Sequence, residues 1–335
     1  MMSVRPYRKD RQLVTGEFRQ WDETTHMSAL NHLTTMALND PDNFIEQVEY
    51  AVVAGSWLFG LAHEDSDMDI KGFHVLPLRE ILSVKGDRET TGRAGTRVHL
   101  GGEQVEFQEI EKFINGCIAN NPTILEVLFA DEQFVLVLGD AARELREHSD
   151  RFLVPERIFQ AFSNYAISQV DDMKSKLWAA FVEEEAVKAD SILTTYDFNK
   201  LDFKKIGFGV HQLDQDKLKR DKVKRIANFE AAYEVHPEYF DGRYDTKHAA
   251  HSLRLLLSGY HCLSTGQFVT MPPNDGVDFL RKIRKDEVSL AGFFEYIYQM
   301  FEKVIEAREN PAWERDEPDY EFINDLLYTV RMRSR

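Results

Sequence analysis

The sequence predicts an α+β fold: a small sheet with flanking helices, followed by an all-helical C-terminal half. Three observations predict it. A short apolar run, Tyr50-Ala51-Val52-Val53-Ala54, stops at Gly55 and has the length of a buried strand. Met68 to Val75 alternates well enough for a second strand, and Pro77 closes it. Beyond residue 140 nearly every stretch carries helical spacing instead.

In chain order, residues 1–26 are polar and mixed in charge and read as an arm. Ser28 to Leu38 predicts a helix, with Leu30, Leu33 and Ala37 on one face and Asn39-Asp40-Pro41 as its stop. The first strand falls within Phe44 to Val53. Gly86 to Thr96, rich in Gly, Arg and Thr, reads as a loop or hairpin. Arg97–Leu100 and Gln104–Glu109 flank Gly101-Gly102 as a hairpin would. Asn121-Pro122 has the form of an N-cap followed by proline at the first helical position, opening Thr123 to Phe129. The clearest later helices are Ala141–Glu147, Pro155–Phe181, Asp214–Tyr233, Thr246–Thr265 and Ser289–Arg308. The expected division is an arm (1–26), a sheet-bearing domain (27–140) and a helical domain (141–335), with no internal repeat.

The length of 335 residues suits about two domains. Hydrophobic residues at 43% and charged residues at 29% exclude disordered and fibrous classes. No apolar run approaches the roughly 18 residues of a membrane span. The first ten residues hold no apolar core of a signal peptide, so the expectation is a cytoplasmic protein with no membrane partner. Two cysteines, Cys117 and Cys262, are too few for a disulfide framework or a zinc site. Lys and Arg number 41 against 57 Asp and Glu, a net charge of −16, which excludes a wholesale basic surface for nucleic acid. A polyanion would have to be met by a local basic strip or by metal ions on carboxylates.

The most specific stretch is Gly55-Ser56-Trp57-Leu58-Phe59-Gly60, continuing through Ser66-Asp67-Met68-Asp69-Ile70-Lys71-Gly72. A buried strand delivers Gly55 and Ser56 to a turn that no side chain blocks. With a short helix over 57–63, that turn forms a phosphate cradle to which the Ser56 hydroxyl adds a donor. Asp67 and Asp69 stand two apart, so on a strand both carboxylates share a face. Two hard oxygen donors facing such a cradle suit Mg²⁺ bound jointly by protein and triphosphate. A lone pair of aspartates at this spacing is usually just an exposed strand edge. Joined to the glycine turn between two strands, it points to chemistry.

The Gly55–Gly72 stretch resembles the signature of the DNA polymerase β-like nucleotidyltransferase superfamily. Further segments resemble one branch of it, the RNA repair pathway DNA polymerase beta family. They are Lys112-Phe113, Asn121 to Glu126, Phe152 to Gln169, and Lys247-His248-Ala249-Ala250-His251-Ser252-Leu253-Arg254. The similarity runs over roughly residues 45 to 330.

The resemblance implies a polymerase β-like sheet, a nucleotide in the cleft between the two domains, and transfer of a nucleoside monophosphate from an NTP, with ATP expected, to an acceptor hydroxyl. It implies a third carboxylate on a neighbouring strand. Val105 and Phe107 facing the core put Glu106 on the opposite face with Gln104 and Gln108, so Glu106 is the choice for metal ligand or base. Glu103 is the alternative, because the family's acidic residue often stands where this chain has Gln104. Asp67, Asp69 and Glu106 would then hold two Mg²⁺ or Mn²⁺ ions. Gly55, Ser56 and Ser66 would grip the triphosphate, and Ser163 and Tyr165 match the family's helix around the nucleotide. Tyr165 would stack on a base or merely anchor the helical domain. Lys247, His251 and Arg254 stand at i, i+4 and i+7 on one helical face, suited to phosphates or the leaving pyrophosphate, or simply solvated.

One more feature stands out in an acidic chain. Lys217, Lys219, Arg220, Lys222, Lys224 and Arg225 make six of nine consecutive residues cationic. They form either a solvated face or a strip that tracks an RNA backbone. The strip favours an RNA end as acceptor, in RNA repair or tRNA modification. Transfer to a protein or small molecule, and a non-catalytic nucleotide- or RNA-binding module, are the alternatives. Acceptor, nucleotide preference and oligomeric state lie beyond the sequence.

Overall fold

The computed structural model describes residue 14 and residues 16–38, 47–82, 96–100, 103–184 and 217–333. Its five strands are β1 (Val48–Val53), β2 (Ile70–His74), β3 (Thr96–Leu100), β4 (Glu103–Glu109) and β5 (Val135–Leu138). They form one sheet in the order β3-β4-β2-β1-β5. β2 and β4 run parallel, and the other neighbours are antiparallel. The chain is therefore mixed α+β, as expected.

Among the described residues the helices are α1 (Glu23–Leu38), α2 (Leu78–Leu82), α3 (Ile110–Ile118), α4 (Pro122–Leu128), α5 (Asp140–Glu147) and α6 (Pro155–Glu184), then α7 (Lys217–Val235), α8 (Pro237–Phe240), α9 (Thr246–Thr265), α10 (Asn274–Arg284), α11 (Leu290–Glu309) and α12 (Tyr320–Arg333). The chain divides into two compact units. A sheet unit comprises residues 16–162, 257–277 and 303–335, and a helical unit comprises 1–15, 163–256 and 278–302.

The register assigns each strand residue to a face. Ala51, Ile70, Val105 and Phe107 share one, where they form a buried cluster with Leu33 of α1. Tyr50 and Phe73 lie on the other, their rings packed in series against Phe113 of α3, with centroids 5.7 and 4.9 Å apart. The Tyr50 hydroxyl donates to the Val127 carbonyl at 2.8 Å. Burial at this position pushes its pKa up to about 12, so it remains a donor. Asn121 caps α4 as expected, its Oδ1 accepting from the N–H of Thr123 and Ile124.

At the far end of the sheet Arg331 of α12 pairs with Glu109, the last residue of β4. His74, the last residue of β2, is fully buried beside them. Removing either member of a buried pair like this leaves an uncompensated charge, a cost of about 3–5 kcal/mol. The clasp therefore fixes the ends of the two parallel strands.

Three expectations need correction. α1 begins at Glu23 rather than Ser28, because Asp22 Oδ1 accepts from both Thr25 N–H and Thr25 Oγ1 at 2.7 Å and so caps it earlier. No helix forms over 57–63. Residues 55–60 are a run of turns in which Leu61 N–H donates to Ser56 O and Gly60 N–H to Trp57 O. Gly60 at φ +68° cannot continue a right-handed helix. β2 starts at Ile70, so Asp67 lies outside the strand; the ladder reaches only Asp69, whose carbonyl accepts from Ala54 N–H at 2.8 Å. β5, α2, α3, α8, α10 and α12 are additional to the elements read from sequence. Residues 44–46, 86–95, 101–102 and 214–216, for which the sequence predicts elements or turns, lie outside the described residues.

Candidate active site

The sheet unit carries the glycine turn and the carboxylates. β1 ends at Val53, and Gly55 follows with φ +68°, a left-handed conformation that favours glycine. The second reason for glycine is spatial. A Cβ built on Gly55 would stand 2.5 Å from Asp69 Oδ2. The carboxylate thus rests against the bare backbone of the turn, in space that any residue other than glycine would fill. Asp69 is half-buried, Asp67 is exposed, and Ser56 is half-buried. Ser66 serves the intervening loop, its Oγ accepting from His63 N–H at 2.9 Å.

Two groups hold the turn from outside. The Arg19 N–H donates to Ala62 O at 2.8 Å, and the Arg19 guanidinium lies 5.4 Å from the Trp57 ring centroid. Trp21 meets Trp57 edge-on at 5.6 Å, and its indole N–H donates to Gln133 O at 2.8 Å. On the other side, a Cβ on Gly60 would stand 3.2 Å from Met271 Cε. Residues 19–21 therefore strap the turn, a role their polar surroundings in the sequence concealed.

Glu106 is where strand alternation put it. Val105 and Phe107 are buried on the α1 side, and Glu106 is half-exposed on the opposite face. The parallel register pairs Glu106 with Lys71, not with Asp69. Extending that register by two residues sets Gln104 beside Asp69. Glu106 therefore lies about 7 Å further along the strand direction than the Asp69 position. Among the described residues, no group of three or more His, Cys, Asp or Glu stands close enough to hold an ion by itself. The side chain of Glu103 lies outside the described set.

The remaining candidate residues belong to the helical unit. Tyr165 and His251 come together, ring centroids 5.2 Å apart and edge-to-face. Arg254 is fully buried and its Nη2 donates to His251 Nδ1 at 3.1 Å, which fixes His251 as the tautomer protonated on Nε2. Lys247 is exposed, and Ser163 is buried with its Oγ without a hydrogen-bond partner among the described residues. The face of α9 thus descends from solvent at Lys247 into the core at Arg254. Beside it lies a cluster that sequence reasoning missed. Asp245 Oδ2 pairs with His248 Nδ1 at 2.7 Å and with Lys176 Nζ at 3.2 Å. Burial pushes the Asp245 carboxyl up, but the hydrogen bonds and charge of His248, with Lys176, outweigh it and hold the group well below the usual carboxylate range.

In the basic strip, Lys222 Nζ pairs with Asp172 Oδ1 at 2.8 Å, while Lys224 and Arg225 are exposed. The side chains of Lys217, Lys219 and Arg220 lie outside the described set.

Fold and turn together define a class: mixed α+β proteins that present hard oxygen donors beside a glycine turn at the start of a central strand. The family model described as the RNA repair pathway DNA polymerase beta family matches residues 17–329, and the chain belongs to that family. No curated protein matches the sequence. Among the described residues, no helix is long and apolar enough to cross a membrane.

Proposed function

We propose that this chain transfers a nucleoside monophosphate from an NTP, ATP in the first instance, to the hydroxyl of an RNA end. The observation that carries the reading is the apposition of Asp69 Oδ2 on the bare backbone of Gly55. It sets a hard oxygen donor within reach of a phosphate lying along the turn. Family membership supports the same chemistry and the link to RNA repair.

Asp67, Asp69 and Glu106 would hold Mg²⁺ or Mn²⁺, two ions in the full assembly. Their oxygen-only donor set, too sparse to enclose an ion alone, fits a cation shared with substrate phosphates. Bound there, such ions supply Lewis acidity and charge neutralisation. The protein's own groups do the positioning. Gly55 lets the triphosphate approach the backbone, and the Ser56 hydroxyl donates to it. A Glu106 carboxylate oxygen accepts the proton of the attacking hydroxyl. The bond from that oxygen to the α-phosphorus forms as the bond from the α-phosphorus to its bridging oxygen breaks, and pyrophosphate leaves. Catalysis of this kind is mostly positioning and charge stabilisation, and it requires no nucleophilic Ser or Cys. Burial pushes the Cys117 thiol above its usual range and the Cys262 thiol up to about 12, which suits neither to that role. In the helical unit, Ser163, Tyr165, Lys247, His251 and Arg254 are proposed to serve the nucleotide, with Arg254 acting through His251.

The test is incubation with each α-labelled NTP, Mg²⁺ or Mn²⁺, and total RNA beside total protein. Label in RNA supports the proposal. Label in protein moves the chain to a protein-modifying transferase, and label in neither removes the catalytic reading.

A further inference from the structure

Lys71 has no bond-making or proton-transfer role in the transfer step itself, and its position is unusual. It sits on β2, the central strand of five, between two buried residues, Ile70 and Gly72. Its register partners are Val52 on β1 and Glu106 on β4, so its side chain shares the face of Glu106. Asp69, two residues earlier along the same extended chain, belongs to that face as well. The side chain is half-buried. Among the described residues it makes no ion pair within 4.0 Å and no hydrogen bond, although two carboxylates flank its position. A partly desolvated ammonium with three donors and no acceptor is costly to keep at the middle of a sheet.

Resting on the nucleotidyl-transfer reading, we propose that Lys71 Nζ is a substrate ligand, donating to a non-bridging phosphate oxygen of the bound nucleoside triphosphate. The placement accounts for the missing partner. A phosphate lying over the face between Asp69 and Glu106 brings anionic oxygens to an ammonium that, among the described residues, no carboxylate neutralises. An ammonium at that point binds the triphosphate and meets the charge that develops on the phosphoryl oxygens during transfer. It also supplies positive charge in the sheet unit itself, in addition to the cations that the sequence suggests on α9.

The test compares parent, Lys71→Gln and Lys71→Arg for binding of ATP and of adenosine without divalent metal, for binding of a short RNA, and for thermal midpoint. The proposal expects ATP affinity to fall about 10- to 100-fold in Lys71→Gln, with adenosine and RNA unchanged and partial recovery in Lys71→Arg. It also expects a midpoint equal to or above the parent's, because an unpartnered charge has been removed; a structural lysine would lower it. Equal ATP affinity in parent and Lys71→Gln overturns the inference while leaving the wider reading intact. A decrease confined to RNA assigns Lys71 to the acceptor and overturns it equally. A parent that binds none of the four NTPs, with Mg²⁺ or without it, refutes the wider reading itself.

Discussion

Asp69 Oδ2 stands where the first side-chain atom of any residue other than glycine at position 55 would press, 2.5 Å from that Cβ. Gly55 also holds φ +68°. Substituting Gly55→Ala therefore meets two independent penalties: about 1–2 kcal/mol for the left-handed backbone, and displacement of the aspartate from the turn. The expected outcome is a lowered thermal midpoint together with loss of nucleotidyl transfer. A Gly55→Ala protein that transfers at the parental rate would show that Asp69 does not act from this position.

Asp69→Ala separates the carboxylate from the backbone effect. If Asp69 holds a metal ion as proposed, its loss should abolish transfer, whereas substitution of an ordinary half-exposed aspartate changes stability by only about half a kcal/mol. Glu106→Gln should be nearly as severe if Glu106 takes the proton of the attacking hydroxyl, and Glu103→Gln should be mild. Transfer assays and thermal melts on the three variants decide the ranking. Strong loss in Glu103→Gln with activity retained in Glu106→Gln would move the third carboxylate to the start of β4.

Much of this site is legible in the residues alone. β1 and β2 are marked by short apolar or alternating runs bounded by Gly55 and Pro77, and the parity of Val105 and Phe107 places Glu106 on the correct face. Asn121-Pro122 signals a helix start because its cap chemistry is local. Other features depend on partners distant in sequence. The turn at 55–60 resembles a helix until the positive φ of Gly60 is known. β5 is four residues long and half-buried throughout, so it carries no alternation to recognise. Lys71 carries no signal in the sequence because its meaning lies in register, which pairs it with Glu106 and leaves Asp69 opposite Gln104. Asp245, His248 and Lys176 meet only when α6 and α9 pack.

The buried end of the sheet predicts an acid-sensitive step. Burial, reinforced by the Arg331 charge and partly offset by Glu109, holds His74 down to about 4, against 6.5 for an unperturbed histidine. Between those values the unfolded chain binds a proton that the folded chain refuses. Stability therefore falls as pH drops from about 6.5 toward 4, by up to about 3 kcal/mol, and is unaffected by this group above about 6.5. Denaturant melts across pH 4.5–7.5 should show a shallower slope in His74→Gln than in the parent, whatever the variant's stability at neutral pH. Identical slopes would assign the acid sensitivity elsewhere.

The basic strip on α7 bears on the acceptor, and its members are not equivalent. Lys222 is already engaged by Asp172 at 2.8 Å, so an RNA phosphate would have to compete with a carboxylate for it. Asp171 adds to the local acidity: burial raises its pKa to about 6 despite Lys174 and Lys222 nearby, so it is largely ionised at neutral pH. Lys224 and Arg225, by contrast, are exposed. If the strip tracks a single-stranded backbone, Lys224→Gln/Arg225→Gln should weaken RNA binding and reduce the slope of log affinity against log salt by about 1.4, roughly 0.7 for each phosphate that is no longer neutralised. Lys222→Gln should change that slope less, because the charge it removes was paired. ATP binding should be unaltered in all three residues' variants, since none belongs to the turn or the carboxylate face. Filter binding or fluorescence anisotropy at four or more salt concentrations supplies the slopes. Should the double variant bind RNA like the parent at every concentration, the strip is a solvated helix face. The preference for an RNA acceptor would then rest on family membership alone, and the labelled-protein pool would become the first place to look for the product.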